Sequence, residues 1–231
     1  MERYYKIADL IVKMNPSGIL EKRAEKYLCD NCDTFDFQLE SSWQRLKNKH
    51  PNLDDDMGEY ISTGFNFYKE LLRYDGIMLH SSAVVVDGKA YLFTADSGVG
   101  KSTHTQLWLK HLGERAFILN DDKPAIRLIN GIWYAYGTPW SGKNDISQNI
   151  GVPIGGIAIL NRAAANKITP FSGPEAISLL MKQLNRPKAK TDCEAFLFLL
   201  DKLLTIVPVW KLECNKELEA AVIASKAMLA N

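Results

Sequence analysis

The sequence predicts an α/β protein, an α+β mixed sheet built around a phosphate-binding loop. Three observations carry that expectation. An apolar run, Ala90-Tyr91-Leu92-Phe93, leads through Thr94-Ala95-Asp96-Ser97-Gly98-Val99-Gly100-Lys101-Ser102-Thr103 into a helical pattern at Gln106, Leu107, Leu109 and Lys110. Asp87-Gly88 joins that run to an earlier apolar one, which signals a type I′ hairpin. A further short strand, Ala116-Phe117-Ile118-Leu119, ends on Asn120-Asp121-Asp122, and ligands of such sheets bind at the C-terminal ends of strands.

The first 55 or so residues read differently from the rest. Tyr5 to Val12 and Thr34 to Leu39 have strand character, with a charged helix-like stretch from Leu20 to Tyr27 between them. Cys29-Asp30-Asn31-Cys32 has the spacing of half a zinc site or of a redox pair. Only His50 is a plausible extra ligand, so two reduced thiols in a loop are expected. Pro51 to Asp56 reads as a turn and an N-cap, its carboxylates favoured by the helix dipole rather than by a cation.

Ile61, Phe65, Tyr68 and Leu72 recur at helical spacing and predict an amphipathic helix over 57–74, ended by Gly76. Ile77 to Val86 reads as one strand, followed by the Asp87-Gly88 turn. The strand feeding the phosphate loop therefore has an antiparallel partner directly before it, unlike the parallel sheets entered by crossover helices. Asn130-Gly131 predicts a second tight hairpin, between 125–129 and 132–136. A buried strand is expected at 157–160, helices near 174–185, 192–205 and 215–229, and a late strand at 208–212 around Trp210, with Cys214 packing nearby. Pro139 to Pro153 forms a connection long enough to suggest function.

The 231 residues suffice for one large domain or for a medium domain with an accessory one, and the reading divides them into an accessory region 1–75 and a nucleotide-binding region 76–231. A net charge of +1 leaves no bulk electrostatic argument for a nucleic-acid or membrane partner. No signal-peptide core and no membrane-length apolar run is found, which makes the cytoplasm the expected location. Homo-oligomerisation is left open.

Chemistry concentrates around the loop. A strand, a Gly-rich turn and a helix N-terminus aim backbone N–H groups and a dipole at polyphosphate. Ser97, Gly98, Val99, Gly100, Lys101, Ser102 and Thr103 are the expected nucleotide contacts, with Ala95 in the place of the pattern's first glycine. Lys101 reaches the outer phosphates and Ser102 ligates Mg²⁺. Of the Asp pair, one carboxylate is assigned to the metal and the other to the proton of an attacking hydroxyl. His80 ends the strand before the hairpin, and its face is undecided. His104, in the first turn of the loop's helix, could line a nucleotide pocket or be exposed, while His50 and His111 read as surface residues. Lys143, in Trp140-Ser141-Gly142-Lys143, and Arg162, after a buried strand, are candidate phosphate contacts with solvated roles equally open.

The run from His80 through the Val-Asp-Gly hairpin and Asp96-Ser97-Gly98-Val99-Gly100-Lys101-Ser102 to Asn120-Asp121-Asp122 resembles the catalytic domain of HPr kinase/phosphorylase. That family shares its nucleotide-binding core with ATP-dependent phosphoenolpyruvate carboxykinase. The resemblance covers residues 76–231 and implies ATP and Mg²⁺ as cofactors. It makes His80, Lys101 and Asp121 the active-site set, Asp121 being the base toward an accepting serine. Gly151-Val152-Pro153-Ile154-Gly155-Gly156 lacks the family's late carboxylate, which leaves the metal to Ser102 and Asp122. Thr138-Pro139-Trp140-Ser141-Gly142-Lys143 is similar to HPr-kinase-related proteins of peptide-modification systems. The expected activity is phosphoryl transfer to a hydroxyl, a serine of a protein or peptide. The alternatives are a kinase for free serine or a polyol, a carboxykinase-like reaction, and a nucleotide-binding module without transfer.

Overall fold

The computed structural model describes residues 3–30, 32, 34–41 and 43–230. The chain opens with β1 (Arg3–Ile7) and β2 (Leu10–Met14), paired antiparallel. One strand was expected here; the chain instead turns back at Ala8 and Asp9, both at positive φ (54° and 59°), with no glycine to announce it. α1 (Gly18–Ala24) runs into a 3₁₀ turn ending at Tyr27, and β3 (Phe37–Gln38) adds to β2 in parallel. Only those two residues of the expected 34–39 strand are in a ladder. Cys29 and Cys32 form a disulfide, which corrects the expectation of reduced thiols; Asn31 between them lies outside the described residues. α2 (Trp43–Lys49), which the reading missed, precedes α3 (Asp55–Leu71). Asp54 caps α3 by accepting from the Met57 N–H at 3.2 Å, so the acidic triplet is a helix start, as expected.

The second sheet holds β4 (Gly76–Met78), β5 (Ser81–Val86), β6 (Lys89–Thr94), β7 (Ala116–Asn120), β8 (Ala125–Ile129), β9 (Ile132–Tyr136), β10 (Gly151–Arg162), β11 (Lys167–Pro170) and β12 (Val209–Cys214). The helices are α4 (Lys101–Leu112), α5 (Pro174–Gln183), α6 (Lys190–Ile206) and α7 (Leu218–Met228). The sheet order is β4-β8-β9-β10-β6-β5-β7, with β12 beside β10 and β11 on β12. β6 has an antiparallel neighbour in β5 and a parallel one in β10. The Asp87-Gly88 turn (φ 48° and 80°) and the Asn130-Gly131 turn (φ 51° and 80°) have the expected left-handed pairs.

The single strand expected over 77–86 is broken. β4 pairs with β8, whereas β5 pairs with β6 and β7, and Leu79-His80 forms the joint between them. Both faces of the central strands are buried, which explains why they read as continuous apolar runs. Leu92, Ile157 and Ile159 face α5 and α6 through Leu180, Leu199 and Leu203. Phe93, Ala158 and Leu160 share the opposite cluster with Trp108 of α4 and Ala221 and Ala224 of α7. A third cluster joins Tyr5, Tyr27 and Phe67 to Tyr136 and Trp140, so the N-terminal segment packs on the β9 side of the large sheet. No helix among the described residues is long and apolar enough to cross a membrane.

Candidate functional site

The phosphate-loop segment connects β6 to α4. Gly98 and Gly100 take φ values of +81° and +129°, conformations that side chains disfavour. α4 begins with no side-chain cap, which leaves its first N–H groups to an external acceptor. Lys101 is buried, and its Nζ donates to the Ala95 carbonyl at 2.9 Å. Burial pushes the Lys101 ammonium's pKa down, while the charges of Asp122, Asp96 and Asp121 oppose that shift. All three carboxylates therefore lie near enough to act on the loop lysine's charge. Ser97 and Thr103 are exposed, and Ser102, Val99 and Gly100 are half-buried.

Arg162 lies against the phosphate loop. Its Nε donates to the Val99 carbonyl at 2.9 Å and its Nη2 donates to the Gly98 carbonyl. It fastens the loop through two of its backbone carbonyls. Lys143 is exposed in the turn after Trp140, and no contact ties it to the phosphate loop among the described residues.

The Asp pair is organised by the residue before it. Asn120, fully buried, accepts from the N–H groups of Asp122 (3.0 Å) and Lys123 (2.8 Å) and donates to the Thr138 carbonyl at 3.0 Å. Asp121 is buried; its Oδ1 accepts from the Ser82 hydroxyl at 2.6 Å and its Oδ2 from Asn144 Nδ2 at 3.4 Å. Ser82 has one proton and gives it to Asp121, so the 2.8 Å contact with Thr105 must be donated by Thr105. The chain Thr105–Ser82–Asp121 thus locks one carboxylate to the first turns of α4.

Asp122 is held separately. Its Oδ1 faces His80 Nε2 at 3.2 Å, and Lys123 Nζ bonds its Oδ2. Burial resists ionisation, but the His80 hydrogen bond and the Lys123 charge outweigh it and hold the carboxyl at about 2. His80 Nδ1 meets Gln183 Oε1 at 3.2 Å, and Gln183 Nε2 donates to Asp96 Oδ1 at 2.7 Å. His80 therefore joins the loop's Asp96 to the metal-candidate Asp122, which settles its open orientation. Ser82, Thr105, Asn120, Asn144 and Gln183 were all missed by sequence reasoning. Asn120 alone carried a signal, as the polar residue at a strand end where an Asx turn can form.

The 139–150 segment closes the site's outer side. It runs along β7 through Asp121 N to Ile146 O (3.1 Å) and Gln148 N to Leu119 O (2.9 Å). The N-terminal segment holds it: Tyr27 Oη donates to Ser147 Oγ at 3.1 Å, and Lys26 Nζ donates to the Ser147 carbonyl at 3.0 Å. Tyr60 accepts from the Gly142 N–H at 3.2 Å.

A cavity of about 330 Å³ opens beside the loop, between Val99, Thr103 and Leu107 on one wall and Leu160, Arg162 and Lys216 on the other. His104 also lines it and is buried. Trp108 Nε1 can only donate, and it donates to His104 Nε2 at 3.1 Å, which places the ring proton on Nδ1. Nδ1 is buried with no hydrogen-bond partner among the described residues. Burial pushes the His104 pKa down to about 4. His50 and His111 are exposed, as read from the sequence.

No family model matches the chain, and no curated protein matches it. Among solved structures it is similar to the HPr(Ser) kinase/phosphatase from Coxiella burnetii, with a TM-score of 0.38 and 11% identity over 66% of this chain and 97% of that one. A likeness that weak decides neither fold nor activity.

Proposed function

We propose that this chain is an ATP- and Mg²⁺-dependent phosphotransferase that phosphorylates a hydroxyl, a serine of a protein or peptide. The observation that carries the reading is the convergence of Lys101, Asp121 and Asp122 at the mouth of a Gly-rich loop, with the two carboxylates held by separate networks. The free amides of α4's first turn and Lys101 receive the β- and γ-phosphates. Lys101 exchanges the Ala95 carbonyl for a phosphate oxygen, a local move that needs no backbone change.

The donors available to a metal are the Ser102 hydroxyl and the ionised Asp122. Among the described residues no group of three or more His, Cys, Asp or Glu side chains could cage an ion. A sparse all-oxygen set fits Mg²⁺, which takes one or two carboxylates and completes its shell with water and substrate phosphates. Bound there, the ion supplies neutralisation of charge on the transferring group. Asp121 then acts on the acceptor: it orients the incoming hydroxyl and takes its proton as the new P–O bond forms. The Ser82 hydrogen bond occupies Oδ1, so the proton goes to Oδ2, whose Asn144 contact is long at 3.4 Å. His80 holds Asp122, and Arg162 keeps the loop closed around the phosphates. The cavity lined by His104 is the natural place for the nucleoside, since pockets of this size take such ligands.

Calorimetric titration with ATP, ADP and pyrophosphate, with and without Mg²⁺, tests the reading and identifies the donor. Mg²⁺-dependent binding should vanish in Lys101→Ala, whereas Asp121→Asn should bind normally and transfer nothing. Full turnover by Lys101→Ala would sink the assignment. A second reading, nucleotide binding without transfer, draws on Asp122, whose two oxygens are already taken by His80 and Lys123. Absence of any ATP turnover, with or without acceptors, would favour it.

A further inference from the structure

A second, unassigned groove shares no lining residue with the His104 cavity. Its inner chamber, about 180 Å³, is lined by Tyr60, Gly64, Phe65, Tyr68, Lys123 and Trp140. Its outer part, about 360 Å³, shares Phe65 and Tyr68 and adds Ile77, Phe196 and the 185–189 segment. Lys123 lines the inner end, and its Nζ bonds Asp122, the neighbour of Asp121 in the chain. The wall is positioned with equal directness: His80 N donates to the Gln183 carbonyl at 2.8 Å, and Leu184 bridges Leu79, so the 185–189 segment leaves from the His80 joint.

The groove suits an acceptor that carries apolar surface. Phe65 is 53% exposed and Ile61 44% exposed along its floor, an apolar surface that a polyol or free serine would leave unsatisfied. The groove is also elongated, two chambers meeting at Phe65, Tyr68 and Asn185. Its outer rim carries Lys69, Arg186 and Lys188 against the single acid Asp192. The Trp140 indole forms part of the inner wall, packed against Gly64 and buried.

Resting on the phosphotransferase reading, we propose that this groove binds the phosphoryl acceptor as an extended peptide. The peptide presents its serine at Asp121, places an apolar side chain next to that serine over Phe65, and carries acidic residues beyond it against Lys69, Arg186 and Lys188. The Asp121 carboxylate takes the serine proton, the serine oxygen bonds the γ-phosphorus, and ADP leaves with the electrons of the broken P–O bond.

The test uses transfer of labelled phosphate from ATP by the whole chain. Three serine peptides of equal length serve as acceptors: one with leucine beside the serine and glutamates beyond, one with lysines replacing the glutamates, and one of glycine and serine only. Free serine and glycerol run alongside. The first peptide should exceed every other acceptor in kcat/KM by about ten-fold, the factor that ~1.4 kcal/mol represents. The triple variant Lys69→Glu, Arg186→Glu, Lys188→Glu changes only exposed rim residues and should reverse the preference toward the lysine peptide. Phe65→Ser should lower use of both leucine peptides and leave the glycine–serine peptide unaffected. MgATP affinity should be unchanged in both variants. Equal use of the three peptides, preference for free serine or glycerol, or no transfer to any peptide by a chain that binds MgATP overturns the proposal and leaves the nucleotide site standing. Failure of the wild-type chain to bind MgATP removes the phosphotransferase reading first, and this inference with it.

Discussion

Gly142 and Gly131 have nearly the same φ, +76° and +80°, in very different surroundings. A Cβ added at Gly131 meets nothing within 4 Å, whereas one at Gly142 would lie 2.8 Å from Asp122 Cβ and 3.3 Å from its Cγ. Alanine at either position carries the left-handed cost of about 1 kcal/mol. At Gly142 a second cost follows, because neither the turn nor the Asp122 backbone, pinned by Asn120, can give without strain; overpacking of that kind costs about 1–3 kcal/mol. With Tm moving about 2–4 °C per kcal/mol for a chain of this size, Gly131→Ala should lower Tm by about 2–4 °C and Gly142→Ala by about 4–16 °C. Function should separate them further. Gly142→Ala pushes on the carboxylate assigned to the metal, so calorimetry should show weaker MgATP binding with metal-free ATP binding retained. Gly131→Ala should bind both as the wild type does. Equal Tm losses together with equal MgATP affinities would refute the claim that the 139–150 loop is packed on Asp122.

Two further outcomes can be checked. The Asp122 carboxyl lies at about 2, below the ordinary carboxylate range, so its ionised form stabilises the fold above about pH 4, and that contribution is lost as pH falls toward 2. Denaturant unfolding at pH 6, 4 and 2.5 should therefore show the stability gap between wild type and Asp122→Asn shrinking by roughly 2 kcal/mol across the acid window; a gap independent of pH would contradict the assignment. Ser82→Ala leaves a buried carboxylate oxygen without its donor at 2.6 Å, which should cost about 1.5–3 kcal/mol of stability and lower transfer while MgATP affinity holds. Unchanged unfolding midpoint and unchanged turnover would remove Ser82 from the site.

Reading the sequence recovered what local chemistry dictates. Asp87-Gly88 and Asn130-Gly131 announce their hairpins because a type I′ turn requires left-handed backbone at both positions, and the apolar run before Gly98 announces a strand buried on both faces. The break at Leu79-His80 was not legible, since apolar residues stand on both sides of it and what separates β4 from β5 is which strands they pair with, a tertiary fact. β10 was read as four residues because Pro153, Gly155 and Gly156 disguise its first half. There the glycines leave room for Tyr91 and Trp210, whose rings a Cβ would meet at 2.7 Å and 2.2 Å. Lys101, Asp121 and Asp122 could be named because a motif and a strand end point to them. Ser82, Thr105 and Gln183 could not, because serine, threonine and glutamine acquire a role only when the sheet brings them within reach of a carboxylate or of His80. Arg162 was legible as a loop-proximal cation, but whether it would bind carbonyls or phosphates was not.

The anchoring of Ser147 by Lys26 and Tyr27 bears on how this chain can be cut, recombined or inherited. A fragment beginning at residue 76 would keep every residue of the phosphate motif and lose the side chains that hold the segment carrying Asn144 to Asp121. It would also uncover Trp140 and Tyr136, apolar surface that invites association. The loop and the Asp pair are thus not a transplantable cassette; the first 75 residues and the large sheet have to travel together. Lesions at Tyr27 or Lys26 would loosen the segment beside Asp121 although neither residue touches that carboxylate.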